Sequence, residues 1–393
     1  MSKKSGEAAS LALLFAVEST AAALWCGVVS LALLDRRAVR TLRPCAEQAG
    51  PVVTAIVPAR NEAALISGWI ADVVAQTDGI ARILVADDSS EDETARIALA
   101  WAQRDERIGV LTCEAPPAGW IGKSWAAHCA AMEAKTEWLL FSDADMRMQP
   151  ETVASALGYA RQLNATALSL TATLECRSVL ESIVMPVIAE LIFTAHPICL
   201  IEDDRSATAL MWGGFILVRR DAYLRIGGHA AVRSEIAEDR ALAQRLKAFG
   251  YGVRLLNGSR MVRVRMYDSA AALWEGWRKN FYEGVQRRPA GALLFIAINA
   301  AMLVLPMPIV AALALTRLRR PLQRRERQLL AVTLVGSAGA LAVRMLRDPL
   351  IGARLRSVVA TPLAGVFVCA VMAASARRVQ SGAGQTWKGR TIR

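Results

Sequence analysis

Trp138-Leu139-Leu140-Phe141-Ser142-Asp143-Ala144-Asp145-Met146 decides how this chain folds. A short apolar run bounded by polar residues suits a strand in the core of a sheet. It stops at two carboxylates one residue apart, and charge at a strand end must face solvent, a partner or a metal, because an isolated buried carboxylate is very costly. Two hard oxygen ligands, Asp143 and Asp145, suit Mg²⁺ or Mn²⁺ carrying a diphosphate. Asp-x-Asp by itself is also an ordinary solvated loop, so the neighbouring segments have to supply the partners that such a site needs.

Working outward, strand-like and helix-like stretches alternate. Val52–Val57 is β-rich and ends at Pro58, and a helix is expected from Glu62 to Ala75. Arg82–Ala86 is a second strand ending at Asp87-Asp88. Ser89–Thr94 then gives helix-start chemistry, with acidic residues suited to the helix dipole, and that helix runs through Ala102. Ile108–Thr112 is a third strand, and a helix from Lys123 to Lys135 leads into the strand ending at Asp143. Repeated βα units predict a mostly parallel, Rossmann-like α/β sheet with helices on both faces. Ligands of such sheets bind at the carboxyl ends of the strands. Pro58-Ala59-Arg60-Asn61-Glu62, Asp87-Asp88 and Asp143-Ala144-Asp145 should therefore gather along one edge as a nucleotide site.

Lys123 adds a cation. It lies in Gly119-Trp120-Ile121-Gly122-Lys123-Ser124-Trp125, a loop opening a helix, where backbone N–H groups and the ammonium could hold diphosphate oxygens; a solvated lysine is the plainer alternative. The segment is not a P-loop, since the first glycine of that motif would fall on Pro117. Further on, Trp212-Gly213-Gly214 opens a strand through Val218, Gly227-Gly228-His229 makes a turn, and Glu238-Asp239 leads into a helix from Ala241 to Phe249. An acidic pair there can cap a helix. Asp239, with Glu238 beside it, can also serve as the general base that a direct displacement requires.

The chain has 393 residues, 54% of them hydrophobic, and a mean hydropathy of +0.31, values that place part of it in lipid. Residues 10–34 carry one charge, Glu18, and are long enough to span a bilayer; Arg36, Arg37, Arg40 and Arg43 follow. The stretch is read as an uncleaved anchor with a cytoplasmic C-terminal end, in preference to a signal peptide. Residues 291–376 hold three more apolar runs, Gly291–Thr316, Leu329–Val343 and Val358–Ala376, separated by arginine-rich stretches, and residues 377–393 form a basic tail. Pro306 and Pro308 interrupt the first run, which suggests a re-entrant hairpin returning Arg317–Arg327 to the cytoplasmic side, with the last two runs as a second hairpin and Arg344, Arg347, Arg354 and Arg356 in its outer turn. The net charge of +12 lies largely beside membrane segments, which fits anionic lipid and not nucleic acid. Seven scattered cysteines without C-x-x-C spacing read as small apolar residues in a reducing compartment, and the three histidines have no zinc spacing.

Thr54-Ala55-Ile56-Val57-Pro58-Ala59-Arg60-Asn61-Glu62, Val85-Ala86-Asp87-Asp88-Ser89-Ser90, Asp143-Ala144-Asp145 and Glu238-Asp239 occur in the order found in family-2 glycosyltransferases, which the chain resembles over about residues 52–257. The resemblance implies a GT-A fold over residues 50–270 and a nucleotide-diphosphate sugar donor, UDP-linked by family habit. Gly-Trp-Ile-Gly-Lys-Ser-Trp, Gly-Gly-His-Ala-Ala-Val-Arg, the anchor and the hydrophobic C-terminus narrow the similarity to hopene-associated glycosyltransferases of bacterial hopanoid lipids. That similarity implies a multi-pass inner-membrane protein with its catalytic domain in the cytoplasm, a lipid acceptor and an inverting outcome.

Carried over residue by residue, Pro58, Arg60, Asn61, Glu62, Asp87 and Asp88 would meet the nucleotide, Asp143 and Asp145 the metal, and Asp239 would be the base. Trp212, Gly213, Gly214, His229, Trp277 and Arg278 would lie on the acceptor side. Processive members carry Gln-x-x-Arg-Trp, where this chain has Trp277-Arg278-Lys279-Asn280-Phe281, so transfer of a single sugar is expected. Within the connector, residues 271–290, Trp274, Trp277, Phe281 and Tyr282 suit a core, an interfacial belt or an acceptor wall equally. Residues 178–201, broken by Pro186 and Pro197, fit two interfacial helices or core helices beside the sheet. The competing functions are a sugar-phosphate nucleotidyltransferase, which needs a glycine-rich phosphate loop absent from Pro58–Glu62, and a non-catalytic membrane scaffold, which would not need Asp143, Asp145 and Asp239.

Overall fold

The computed structural model describes residues 2–45, 50–353, 355–381, 385–387 and 390–392; Arg354, Lys388 and Arg393 of the arginine-rich stretches and tail lie outside them. The strands are β1 (Val53–Ala59), β2 (Ile80–Asp87), β3 (Ile108–Thr112), β4 (Trp138–Phe141), β5 (Met146–Met148), β6 (Ala167–Thr171), β7 (Thr173–Leu174), β8 (Ile216–Arg219), β9 (Val253–Asn257) and β10 (Val262–Val264), with a short terminal pair, β11 (Gln385–Trp387) and β12 (Arg390–Ile392). The helices are α1 (Ser2–Ala38), α2 (Ile66–Val74), α3 (Thr94–Ala102), α4 (Gly122–Glu133), α5 (Thr152–Gln162), α6 (Val179–Ala195), α7 (Ile198–Ile201), α8 (Arg220–Arg225), α9 (Glu238–Ala248), α10 (Ala270–Gly284), α11 (Pro289–Asn299), α12 (Pro306–Arg319), α13 (Arg324–Arg347) and α14 (Thr361–Gln380).

A seven-stranded sheet in the order β3-β2-β1-β4-β8-β6-β9 forms the sheet domain. It is parallel except for β8, which runs against β4 and β6. In the central strands β1, β2 and β4, side chains alternate between two cores. Val53, Ala55, Val57, Ile83, Val85 and Leu140 meet Trp69, Ile70 and Val73 of α2 and Ala98 of α3 on one face. Ile56, Leu84, Ala86, Leu139 and Phe141 meet Ala126 and Ala130 of α4 and Leu242 and Ala243 of α9 on the other. This is the period-2 pattern that the sequence implies for strands buried on both faces. The helix expected from Glu62 starts later, at Ile66, because the Glu62 carbonyl is taken by a turn that accepts from the Leu65 and Ile66 N–H groups.

Among the described residues three helices are long and apolar enough to cross a membrane: Ala9–Ala38, Arg324–Ile351 and Ser357–Gln380. α1 and α13 run side by side in the same direction. Gly336 packs on Ala22 and Gly339 on Trp25, small residues that let the backbones approach. Leu11 and Leu14 share a cluster with Leu329 at one end, and Asp35 bonds Arg347 at the other. Leu11 and Asp35 are separated by about 36 Å of helix at the standard rise per residue. The arginine-rich link between α12 and α13 therefore lies at the end of the bundle away from the sheet domain.

This corrects the expected re-entrant hairpin. Leu305 keeps helical dihedrals, a wide π-turn at Ala300–Val304 absorbs the bonds that proline cannot make, and Pro306 starts α12, where a missing N–H is harmless. The sharp change of direction, 115°, falls instead between α10 and the helix starting at Pro289. Nor do Arg344 and Arg347 lie in an outer turn. They are buried beside the sheet domain, Arg344 on Asp348 at 2.7 Å and Arg347 on both Asp35 (2.6 Å) and Glu190 (2.7 Å).

The apolar insert forms one helix, α6, with Pro186 inside it, followed by the short α7 capped by Pro197. Its start is fixed by a capping box between Ser178 and Glu181, and most of its length is buried against the core and α14. The core-helix alternative thus describes α6 better than an interfacial one.

Arg347→Ala would leave Asp35 and Glu190 buried without their cation, at a cost of about 3–5 kcal/mol. Thermal unfolding of the detergent-solubilised protein should show a clearly lowered Tm; an unchanged Tm would mean that this clamp does not hold the helices to the domain.

Candidate active site

The carboxyl ends of β1, β2 and β4 form one edge, as expected, with Ala59 paired to Asp87. The loops after β1 and β2 are knitted together. Arg60 Nη1 donates to the carbonyls of Asp88 (2.8 Å) and Ser89 (3.0 Å), and its Nη2 meets Glu91. Asn61, with φ of 51°, donates its N–H to Ser90 Oγ and accepts from the Glu91 N–H, while the Glu62 N–H donates to Thr94 Oγ1. Asp87 and Asp88 are buried, and Asp87 Oδ1 has no hydrogen-bond partner. Arg60 thus shapes this cradle more than it reaches out of it.

β4 ends in a tight turn, the Met146 N–H donating to the Asp143 carbonyl, which presents Asp143 and Asp145. Ser142 fixes the turn from behind: its Oγ accepts from Trp69 Nε1 and donates to the Gly214 carbonyl at 2.8 Å. Lys123, in the first turn of α4, places Nζ 2.8 Å from Asp143 Oδ1 and 2.7 Å from Glu238 Oε1. Burial works against its charge, but the two carboxylates hold the ammonium well above the ordinary lysine pKa. Glu238 is buried, and Lys123 keeps its pKa low in spite of that burial. Asp145 is different: burial, then Asp143 and Glu62, push it up to about 7, and its Oδ1 has no partner.

Asp239 completes the group. Its Oδ2 accepts from the Gly213 N–H at 3.0 Å and its Oδ1 from the Arg240 N–H at 2.7 Å. A Cβ on Gly213 would stand 3.0 Å from that Oδ2, so glycine allows the carboxylate to approach the backbone. Burial, then Glu238, push Asp239 up to about 6. Lys279 of α10 also faces the cluster; burial lowers its pKa, while Glu238, Asp143 and Asp239 favour its charge. No role for Lys279 was legible beforehand, because a lysine in an amphipathic helix carries no local signal.

Other expectations change. His229 lies beneath the site in the core, its Nδ1 at 2.8 Å from the Tyr223 hydroxyl and its ring edge-on to Phe141. Burial depresses its pKa to about 3. It is a buried neutral prop, not an acceptor-side group. Trp277 is buried between α10 and α6, with Nε1 on Met185 Sδ, and Tyr282 is buried against α14. Arg278 is buried too, paired with Glu275, its carbonyl accepting from Ser375 Oγ. Trp277 and Arg278 therefore pack helices together here, the core alternative for Trp277. Trp212 stays half-buried against Phe193.

The donor set suits a divalent cation. Among the described residues no cluster of three or more His, Cys, Asp or Glu side chains forms a protein-only cage. Asp143 and Asp145 supply two hard oxygens, one of them buried and unmatched, which fits an ion that takes its remaining ligands from water and phosphate.

A mostly parallel sheet with one reversed strand, an Asp-x-Asp turn at a central strand end and an acidic pair opening a later helix define the GT-A architecture, and residues 54–225 match the family model for glycosyl transferase family 2. That region is a glycosyltransferase family 2 domain. The chain is 24% identical over 254 residues to the 4,4'-diaponeurosporenoate glycosyltransferase of Staphylococcus haemolyticus, covering 63% of this chain and 65% of that protein. To the protein of the same name from Staphylococcus aureus it is 26% identical over 240 residues, 59% of this chain and 61% of the relative. The matches thus span less than two thirds of these relatives' length. In fold the chain is similar to a mannosyltransferase from Pyrobaculum calidifontis solved with GDP-Man and Mn²⁺, with a TM-score of 0.50 and 16% identity over 93% of this chain and 98% of that one.

His229 binds a proton more weakly folded than unfolded, so stability falls as pH drops from its unfolded value near 6.5 toward about 3. Between pH 7.5 and 5 this one group costs about 2 kcal/mol. Unfolding followed across that range should be visibly flatter for His229→Gln than for the wild type; equal slopes would refute the neutral, buried assignment.

Proposed function

We propose that the protein is a membrane-bound glycosyltransferase that moves one sugar from a nucleotide-diphosphate sugar to a lipid acceptor. The observation that carries this reading is the convergence of Asp143, Asp145, Lys123, Glu238 and Asp239 at the carboxyl edge of the sheet. Asp143 and Asp145 would hold Mg²⁺ or Mn²⁺, which when bound neutralises charge on a departing nucleotide diphosphate. Lys123 and Lys279 add positive charge on the same side. The loops of Arg60–Glu62 and Asp87–Asp88 shape the nucleotide cradle.

The reaction is a displacement. The acceptor oxygen forms a bond to the anomeric carbon, the bond from that carbon to the diphosphate breaks, and the acceptor proton passes to Asp239, whose carboxylate is aimed by the Gly213 and Arg240 N–H groups. Its raised pKa makes it a better proton acceptor than an exposed aspartate.

The apolar helices, and the 4,4'-diaponeurosporenoate for which the relatives are named, support an apolar acceptor. The likeness to hopene-associated enzymes supports the hopanoid class in particular. UDP is the nucleotide that the family resemblance favours. This reading puts the domain in the cytoplasm at the inner membrane, a side supported by the arginines after α1. The link between α12 and α13 then lies on the other side, against the positive-inside tendency, with Arg320 paired to Glu326 at 2.6 Å.

The purified full chain, given Mn²⁺, UDP- or GDP-sugars and a lipid extract, should yield a sugar-modified lipid by mass spectrometry. Asp239→Asn should lower kcat by roughly 10²-fold or more with little change in donor affinity. Asp145→Asn should abolish metal-dependent turnover without unfolding the protein. Full activity in chelator would remove the metal from this reading, and a normal rate in Asp239→Asn would move the base elsewhere. An impermeant maleimide should label Leu322→Cys in intact cells; protection there would place the link in the cytoplasm.

A further inference from the structure

We propose that Lys123 is a place-holding cation, which neutralises Asp143 in the donor-free protein and must leave it before that carboxylate can take a divalent ion. This rests on the reading above and extends it to the order of binding. Nζ lies within hydrogen-bond distance of both Asp143 Oδ1 (2.8 Å) and Glu238 Oε1 (2.7 Å), so it bridges β4 to the start of α9. Asp145, the other member of the pair, has an oxygen without any partner. The two aspartates are thus unequal: one is already matched by a protein cation and the other is not.

A divalent ion held by both aspartates would share Asp143 with an ammonium in contact with it, and like charges that close repel strongly. The ion alone therefore meets a site half occupied by charge of its own sign. A nucleotide diphosphate changes the balance. It brings negative oxygens that can take over the ammonium, and the Lys123 side chain, 43% exposed on a flexible four-carbon stem, can turn toward them as they replace its contact with Asp143. Glu238, 12% exposed, can keep its bond to Nζ through a short movement of this kind. The consequence is that metal and nucleotide bind together and each binds poorly without the other.

The test measures binding, not turnover. Free Mn²⁺ is followed by electron paramagnetic resonance while detergent-solubilised full chain is titrated, first alone and then with UDP or GDP. Lys123→Gln should bind Mn²⁺ about tenfold more tightly than wild type without nucleotide, yet bind nucleotide in the presence of Mn²⁺ about tenfold more weakly. Lys123→Arg, which keeps the charge, should stay near wild type in the first measurement and so separates charge from packing; circular dichroism checks that both variants fold. Mn²⁺ binding by Lys123→Gln equal to or weaker than wild type without nucleotide overturns the place-holding role while leaving the proposed reaction standing. Failure of every protein to bind Mn²⁺ with either nucleotide overturns the metal-dependent reading and this inference with it.

Discussion

The buried guanidinium of Arg347 is the contact on which the rest of the arrangement depends. It meets Asp35 at the end of α1 and Glu190 in α6, and all three side chains are almost fully buried. In such surroundings an ion pair contributes little net stability against an apolar replacement, but a lone charge is severely unfavourable. The clamp therefore selects geometry more than it adds stability: only one placement of the apolar helices satisfies both carboxylates. Thr194 donates to Glu190 and accepts from Arg347, and the Cys199 N–H donates to Asp35, which ties the same point to the segment beside the sheet.

From that fixed frame the acidic edge follows. Packing α6 and α10 over the sheet brings Lys279 toward carboxylates that α9 and the turn after β4 have already gathered. Burial first, and then neighbouring like charges, raise proton affinity here, which is why Asp145 and Asp239 sit well above ordinary aspartates while Asp143 and Glu238 share a lysine. Such electrostatic strain is tolerated because the backbone around it is over-determined by Ser142, Gly213 and the paired loops after β1 and β2.

The sheet was legible because period-2 alternation and strand-end carboxylates are local signals, and β1 to β4 fall where the apolar runs lie. The Asp143–Asp145 turn and the Lys123 helix start were legible for the same reason. What escaped were features set by distant packing. His229 looks like a turn residue in Gly-Gly-His, yet its environment is made by Tyr223 and Phe141. Trp277 suits a core or a binding wall alike until α6 is placed beside it. Pro306 reads as a breaker, but proline at the first position of a helix continues the chain direction once a π-turn precedes it. Arg347 reads as a loop charge because its carboxylate partners, Asp35 and Glu190, lie 312 and 157 positions away, and the burial of Arg344 beside Asp348 follows from that same distant packing.

The parallel pairing of α1 with α13 also sets a timetable for biosynthesis. α1 leaves the ribosome first, but the surface it packs on is made about three hundred residues later, so the sheet domain has the opportunity to fold in between. Throughout that interval Glu18 in α1, buried in the finished bundle, and Asp35 at its end stand without the neighbours that later enclose them. Closure of the helix bundle is then a late, long-range step, slow by the usual cost of joining distant segments. A nascent chain interrupted before α11 would hold a folded sheet domain on a single apolar anchor, a species that differs from the finished protein in its uncovered acidic residues.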